Sequence, residues 1–384
     1  MKKILFTILW IKLSIFLIII FAYNLLPFAA YTHHINFVYP PKEEISLKVA
    51  FKTWDAQHYL YISEKGYSKK SPPNNAFSPL FPFTIYLFTF ITRNSFISGI
   101  ILANIFSIIG YCLFYVLTRN IYNEKVAYKS LLFLLAFPTS FYFSLIYTES
   151  LFFLLVVLFF LYLQKRNLLL AALTAFLLPL TRLIGVAIVI PMLTSYVLEY
   201  YGYSVYEQLS VIGKSLLSKK TFFILSPILG LFTAMVIFYI FTGDFFSQFK
   251  AQQHFISHYS FFAIFNPLIF LKSFFTFPVA VHGFTNSLLD RAFFLVFLGF
   301  LPFLYKRVSK PFFIYAVLFG LLPALGGSFM SYMRYLLVIF PLFICFARMS
   351  QEKKYEKFTY PYLYLSILLQ GMFIIMHSLN FWVS

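Results

Sequence analysis

The chain has 384 residues, 61% hydrophobic and only 11% charged, where a soluble globular chain carries about 25% charged residues. With a mean hydropathy of +0.83, this excludes an ordinary soluble enzyme and a disordered or nucleic-acid-binding tail protein. The net charge of +18 sits in short Lys/Arg clusters between apolar runs, the pattern of the positive-inside rule rather than of a nucleic-acid partner.

At about 20 apolar residues per crossing, such a chain supports roughly ten membrane spans. Unbroken runs such as Leu151–Leu163 and Ala171–Leu178 point to helices and not to the alternating segments of a transmembrane barrel. The expected fold class is therefore an all-α polytopic membrane protein forming one domain over residues 1–384. Cys112 and Cys345 lie inside apolar runs and offer neither a disulfide framework nor a metal spacing. No Asn-x-Ser/Thr acceptor occurs, and the Lys/Phe/Ile-rich usage leans towards a prokaryotic plasma membrane over the endoplasmic reticulum.

From the amino terminus, Lys2, Lys3 and Lys12 precede an apolar stretch, Leu13–Ala30, too long for a signal-peptide core, so it is expected to be an uncleaved first span. Further spans are predicted near 96–118, 129–146, 148–163, 168–180, 183–198, 222–242, 289–305, 311–326, 332–348 and 360–381. The run Ser78–Thr92 is predicted to lie in the outer leaflet without crossing, because Pro72, Pro73, Pro79 and Pro82 suit a bent segment. That choice also puts Arg119, Lys165, Arg166, Lys214, Lys219, Lys220, Arg307 and Arg348 all inside, as the positive-inside rule requires. Eleven spans follow, with two long outer loops, 31–95 and 243–288. No internal repeat is visible, which weakens a transporter built from inverted repeats.

The first outer loop holds Trp54-Asp55-Ala56-Gln57-His58-Tyr59. As a helix, it puts Asp55, His58, Tyr59 and Ile62 on one face, flanked by Trp54. The plain alternative is an interfacial amphipathic helix anchored by its aromatic rings. Glu149, with apolar residues on both sides, is an intramembrane acid and so a functional residue by default, against the alternative of a helix-end acid facing water. Arg182, and Arg334 with its neighbour Tyr332, are isolated in the same way, with snorkelling to lipid phosphate as the alternative. The threading brings Asp55, Glu149, Arg182 and Arg334 to one side of the membrane from four separate segments. In the late outer loop, His254 and His258 have metal-ligand spacing, but no carboxylate or cysteine lies near, so no metal site is assigned. Whether a divalent cation is needed stays open on sequence grounds.

Two carboxylates and two arginines at a membrane surface suit sugar transfer from a polyprenyl phosphate. A carboxylate takes the proton of the acceptor hydroxyl, and guanidinium groups hold the departing phosphate. The absence of a Gly-rich nucleotide fingerprint fits a lipid-linked donor.

These residues resemble the membrane mannosyltransferase family that includes the enzyme adding the second mannose to GPI anchors (GPI mannosyltransferase 2), the PIG-V family with the GT-C glycosyltransferase fold. The likeness rests on Trp54-Asp55-Ala56-x-His58 with Gly66-Tyr67, the Phe77-Ser78-Pro79 segment, Tyr147-x-Glu149-Ser150-Leu151-Phe152, Arg182-x-x-Gly185, and Gly243-Asp244 with Phe249-x-x-Gln252. The resemblance implies a polyprenyl- or dolichyl-phosphate mannose donor, an inverting transfer to a glycolipid or glycan acceptor on the extracytoplasmic side, and Asp55 as the catalytic acid. It also implies Tyr147 and Gln252 as substrate-binding residues beside Trp54, His58, Tyr59, Glu149, Arg182, Tyr332 and Arg334. Ile184 departs from the polar residue common in animal members, and nothing singles out a GPI acceptor. The alternatives are a flippase or transporter of lipid-linked glycans, and a membrane polysaccharide polymerase or ligase.

Overall fold

The computed structural model describes residues 1–384 except 41–42, 202–220, 256–260, 277–279, 282–286 and 384. The predicted inner loop with Lys214, Lys219 and Lys220, and His258, lie outside the described residues. Among those described, all regular elements are helical, apart from one isolated bridge between Ala280 and Ser287.

The first helix, Lys2–Leu25, shows how the chain divides its surfaces. Ile4, Ile8, Lys12, Ile15, Ile19 and Ala22 are buried, at the three- and four-residue spacing of one helix face. Leu5, Leu9, Trp10, Leu13, Leu17 and Phe21 on the other side are exposed, an apolar surface suited to lipid. The helix stops at Leu25 and not at Ala30, because Pro27 pushes the residue before it out of the helical region. Lys12 is buried mid-helix. Its Nζ donates to Asn104 Oδ1 (2.9 Å), Ser144 Oγ (3.1 Å) and the Phe143 carbonyl (3.2 Å), which satisfies all three protons and ties this helix to its neighbours.

Glu149–Gln164 is buried on nearly every side and stands at the centre. It packs between Ser95–Ile121 and Leu168–Thr181, and the latter packs in turn on Ser226–Thr242. Four described helices are long and apolar enough to cross a membrane: Lys2–Leu25, Ser95–Ile121, Leu288–Arg307 and Lys353–Ser378. A fifth results if Ser226–Thr242 and Ser247–His254, bent by 78°, form one span. The remaining predicted spans are shorter or broken.

The breaks have physical causes. In the predicted span 129–146, the helix Glu124–Ala136 ends just before Pro138, and a tight 3-10 turn, Ser140–Ser144, follows. The carbonyls of Leu135 and Phe137 freed there accept from Nε2 of Gln370 (3.1 and 2.9 Å), so the broken backbone is satisfied inside the protein. The predicted span 332–348 is likewise two pieces, Tyr332–Leu336 and Phe340–Met349, the second with Pro341 in its first turn. Leu80–Thr92 has 13 residues, about 20 Å of helix, which is short of the roughly 30 Å hydrocarbon core.

Candidate active site

The helix Asp55–Lys65 begins at a strained corner. Trp54, its first flanking residue, has φ 57° and ψ −125°, a left-handed backbone costing a bulky residue about 1–3 kcal/mol. Three contacts hold it. The Trp54 indole meets Trp382 edge-on at 4.9 Å between centroids, the Tyr147 hydroxyl donates to the Thr53 carbonyl (3.2 Å), and the Thr53 hydroxyl bonds the Asn380 side chain. The carboxyl-terminal end of the chain thereby fixes the direction in which Asp55 leaves the backbone.

Along the same face, the Nδ1–H of His58 donates to Oδ1 of Asn74 (2.6 Å), and its ring stacks on Phe77 at 4.7 Å. That bond leaves Nε2 as an acceptor in the neutral ring. Burial pushes the His58 imidazole below its ordinary value, against the opposing pull of Asn74 and Asp55. The hydroxyls of Tyr59 and Thr148 share a hydrogen bond (3.3 Å). Burial, with Asp55 and Glu149 nearby, pushes the Tyr59 phenol up, so it stays protonated.

Glu149 starts the central helix, and Arg182 follows the end of the antiparallel helix Leu168–Thr181, so the two ends meet. Nη1 of Arg182 lies 2.7 Å from Glu149 Oε1. Arg334, on the one-turn helix Tyr332–Leu336, places Nε 3.2 Å from the same oxygen and Nη1 2.9 Å from Asp55 Oδ2. Four charges from four segments thus form one chain, Asp55–Arg334–Glu149–Arg182. Aromatic faces flank both guanidinium groups: Tyr142 and Tyr147 lie 5.3 and 5.4 Å from Arg334, and Tyr335 lies 5.0 Å from Arg182. Exposure separates the two acids. The Glu149 side chain is 1% exposed and sealed between guanidinium groups, whereas Asp55 is 21% exposed and forms the open end.

Two predicted binding residues are engaged elsewhere. The Tyr332 hydroxyl donates to the Gly320 carbonyl (2.9 Å) in the protein interior, and Gln252 Nε2 donates to the Ala76 carbonyl (3.2 Å). Gln252 acts with Gln248, whose Nε2 bonds Ser78 Oγ (2.8 Å), to fasten the segment after Gly243 onto the 74–78 segment that carries the partner of His58. Phe255 of the later segment closes over the His58 ring.

Asp290 belongs to the site's support, and sequence reasoning missed it. Fully buried on Leu288–Arg307, its Oδ1 accepts the Met333 N–H (3.0 Å). It caps from another helix a turn that Ser331, at φ 62°, does not cap with its own side chain. Thr139 donates to the Met333 carbonyl on the other side (3.2 Å). Asp290 stands next to Arg291 at the start of an apolar run, so in the sequence it looks like half of an adjacent charge pair at a helix end and not like an isolated acid. Asn74 and Asn380 carry no sequence signal.

Among the described residues, no three His, Cys, Asp or Glu side chains are grouped to hold a metal ion. His254 is exposed.

No protein-family profile and no curated protein matches the sequence. Solved structures of the oligosaccharyltransferase of Archaeoglobus fulgidus are similar over most of this chain. The apo form shares 12% identity at a TM-score of 0.46, covering 97% of this chain and 56% of that one. The form tethered with an acceptor peptide containing the NVT sequon shares 13% at 0.46, covering 98% and 55%. The complex with an inhibitory peptide and a dolichol-phosphate shares 12% at 0.43, covering 99% and 56%. The chain spans about half the length of these oligosaccharyltransferase chains, so their activity is not carried over to it.

Proposed function

We propose that the protein is an integral-membrane glycosyltransferase that moves a hexose from a polyprenyl- or dolichyl-phosphate sugar to a hydroxyl of a glycolipid or glycan. Mannose is the sugar the PIG-V-like motifs favour, and the site is extracytoplasmic on the positive-inside threading. The observation that carries this reading is the ion chain in which Asp55 is the most exposed member.

In this reading, the acceptor hydroxyl attacks the anomeric carbon from the side of Asp55, whose carboxylate takes the hydroxyl proton. The bond from anomeric carbon to phosphate oxygen breaks with its electron pair, and the lipid phosphate leaves. One displacement inverts the anomeric centre. Arg334 and Arg182 offer fork-shaped donors to the phosphate oxygens, where charge builds as the bond breaks. A phosphate drawing Arg334 towards it also loosens the 2.9 Å contact with Asp55, which frees the carboxylate at the moment it is needed. Glu149 holds both guanidinium groups in register. An apolar groove of about 630 Å³ between Ile62, Tyr67, Phe83, Leu180 and Phe241, with Leu180 two residues before Arg182 in the chain, is suited to the isoprenoid tail.

The test is transfer of label from polyprenyl-phosphate mannose by purified protein. Asp55→Asn keeps shape and is expected to lose about 10²–10⁴-fold in rate, the range for a general base, while inserting and accumulating normally. Full activity in that variant overturns the role of Asp55. Transport in proteoliposomes with no covalent product overturns the enzyme reading.

A further inference from the structure

A second cavity, of about 390 Å³, lies against the back of the Asp55–Lys65 helix, lined by Tyr39, Lys48, Lys52, Glu64, Arg93 and Ser95 among others. Leu60 and Glu64 line it, and helical geometry puts them about half a turn away from the face of Asp55, Tyr59 and Ile62. It is therefore separate from the ion chain, and Glu64 is the one lining residue it shares with the apolar groove assigned to the donor tail.

Its charge is unbalanced in one direction. Glu64 is already satisfied, accepting from the Tyr39 hydroxyl (2.5 Å) and from the Ser95 hydroxyl. Lys52 is paired with Glu43 at 2.6 Å. Lys48 and Arg93 are exposed, and neither has a carboxylate within ion-pair distance among the described residues. Arg93 sits at φ 58°, closing the Leu80–Thr92 helix in the left-handed region where glycine is the easy choice. The strained backbone carries a guanidinium to the cavity rim.

The surface next to these cations is apolar. Phe90 is 65% exposed, Ile91 74% and Ile97 44%, on the two helix ends that flank Arg93. Cations at a polar cavity directly beside a bare apolar surface match a membrane lipid with an anionic head and hydrocarbon chains.

We propose that this cavity binds the phosphodiester head of an anionic glycerophospholipid, with Lys48 and Arg93 on the phosphate, Lys52 behind them, and the acyl chains along Phe90, Ile91 and Ile97. Such a lipid braces the helix that carries Asp55 from the side opposite the reaction. The site stands independently of the transfer activity.

The test uses full-length protein reconstituted in nanodiscs of equal phosphatidylglycerol and phosphatidylcholine, then counts lipids retained by native mass spectrometry. Wild type is expected to keep phosphatidylglycerol in preference to phosphatidylcholine. The double variant Lys48→Gln, Arg93→Gln is expected to retain about tenfold less, one lost charge-assisted contact being enough for that factor. The pair Lys65→Gln, Lys70→Gln removes the same charge outside the cavity and is expected to retain phosphatidylglycerol as wild type does. Arg93→Gly removes the guanidinium while suiting the left-handed backbone, so its loss of lipid is not a loss of fold. Equal retention in wild type and the double variant overturns the site, as does an equal loss in the control pair. Displacement of the lipid by millimolar inorganic phosphate alone overturns the lipid assignment in favour of a free anion.

Discussion

Nη1 of Arg334 lies 2.9 Å from Asp55 Oδ2 while Nε of the same side chain lies 3.2 Å from Glu149 Oε1. One planar group thus forms ion pairs with an open carboxylate and a sealed one at once, a task that suits a charge spread over three nitrogens. Lysine supplies a point charge on a flexible stem and reaches one acid at a time. Arg334→Lys is therefore expected to keep the protein folded and to lower the transfer rate about 10²–10³-fold, the range for removing one oriented donor. Steady-state transfer with the lipid-phosphate donor checks it, and a rate equal to wild type would show that the bridge is dispensable.

The turn that bears Arg334 depends on Asp290, whose Oδ1 accepts the Met333 N–H at 3.0 Å. Asparagine keeps an oxygen at that position, whereas alanine leaves a buried N–H without a partner, at about 1–3 kcal/mol. Thermal unfolding in detergent is expected to rank wild type and Asp290→Asn close together, with Asp290→Ala clearly lower. Transfer activity should follow the same order, because a slack turn no longer fixes Arg334 between the two acids. Equal stability of the alanine and asparagine variants would remove Asp290 from the support of the site.

Burial holds the His58 imidazole below its ordinary value of about 6.5. The unfolded chain takes up a proton at this residue as pH falls past that value, and the folded chain resists it. The His58 contribution is thus fully present above about pH 6.5 and is lost as pH drops towards the lower folded value. Wild type is expected to lose thermal stability over that acidic window, and His58→Gln, which has no proton to gain, to lose less. The difference between the two melting curves across pH isolates the effect. Parallel curves would show that His58 is not held neutral by its surroundings.

Much of the site was legible in the sequence because charge is costly in an apolar chain. Asp55, Glu149, Arg182 and Arg334 each stand out as single charges, and the threading groups them on one side. The structure places all four in one ion chain. What stayed hidden was pairing and backbone continuity. Hydropathy is the same whether a helix runs through Pro138 or stops before it, and Gln370, far along the chain, is what makes the stop tolerable. Residue type alone does not tell that the Tyr332 hydroxyl turns to Gly320 or that Gln252 clasps Ala76. Asp290 escapes the rule that found Glu149 because Arg291 stands beside it in the sequence, and its true partner, a backbone N–H on another element, needed the fold.

Gly185 carries the last prediction, since it decides where Arg182 stands. A Cβ on it would lie 2.4 Å from the carbonyl carbon of Leu178 and 2.5 Å from its oxygen, which are backbone atoms with no freedom to yield. The turn Leu183–Ile188 lies this close because the chain doubles back at Arg182, whose carbonyl accepts the Gly185 N–H at 2.8 Å. Alanine there forces the turn off the Leu168–Thr181 helix, at about 1–3 kcal/mol for an overpacked contact. It also drags Arg182 from its 2.7 Å contact with Glu149. Gly185→Ala is expected to lower the unfolding temperature and, in the protein that remains folded, to raise KM for the lipid-phosphate donor more than it lowers kcat. A loss confined to stability, with KM unchanged, would separate Arg182 from donor binding and leave it a structural partner of Glu149.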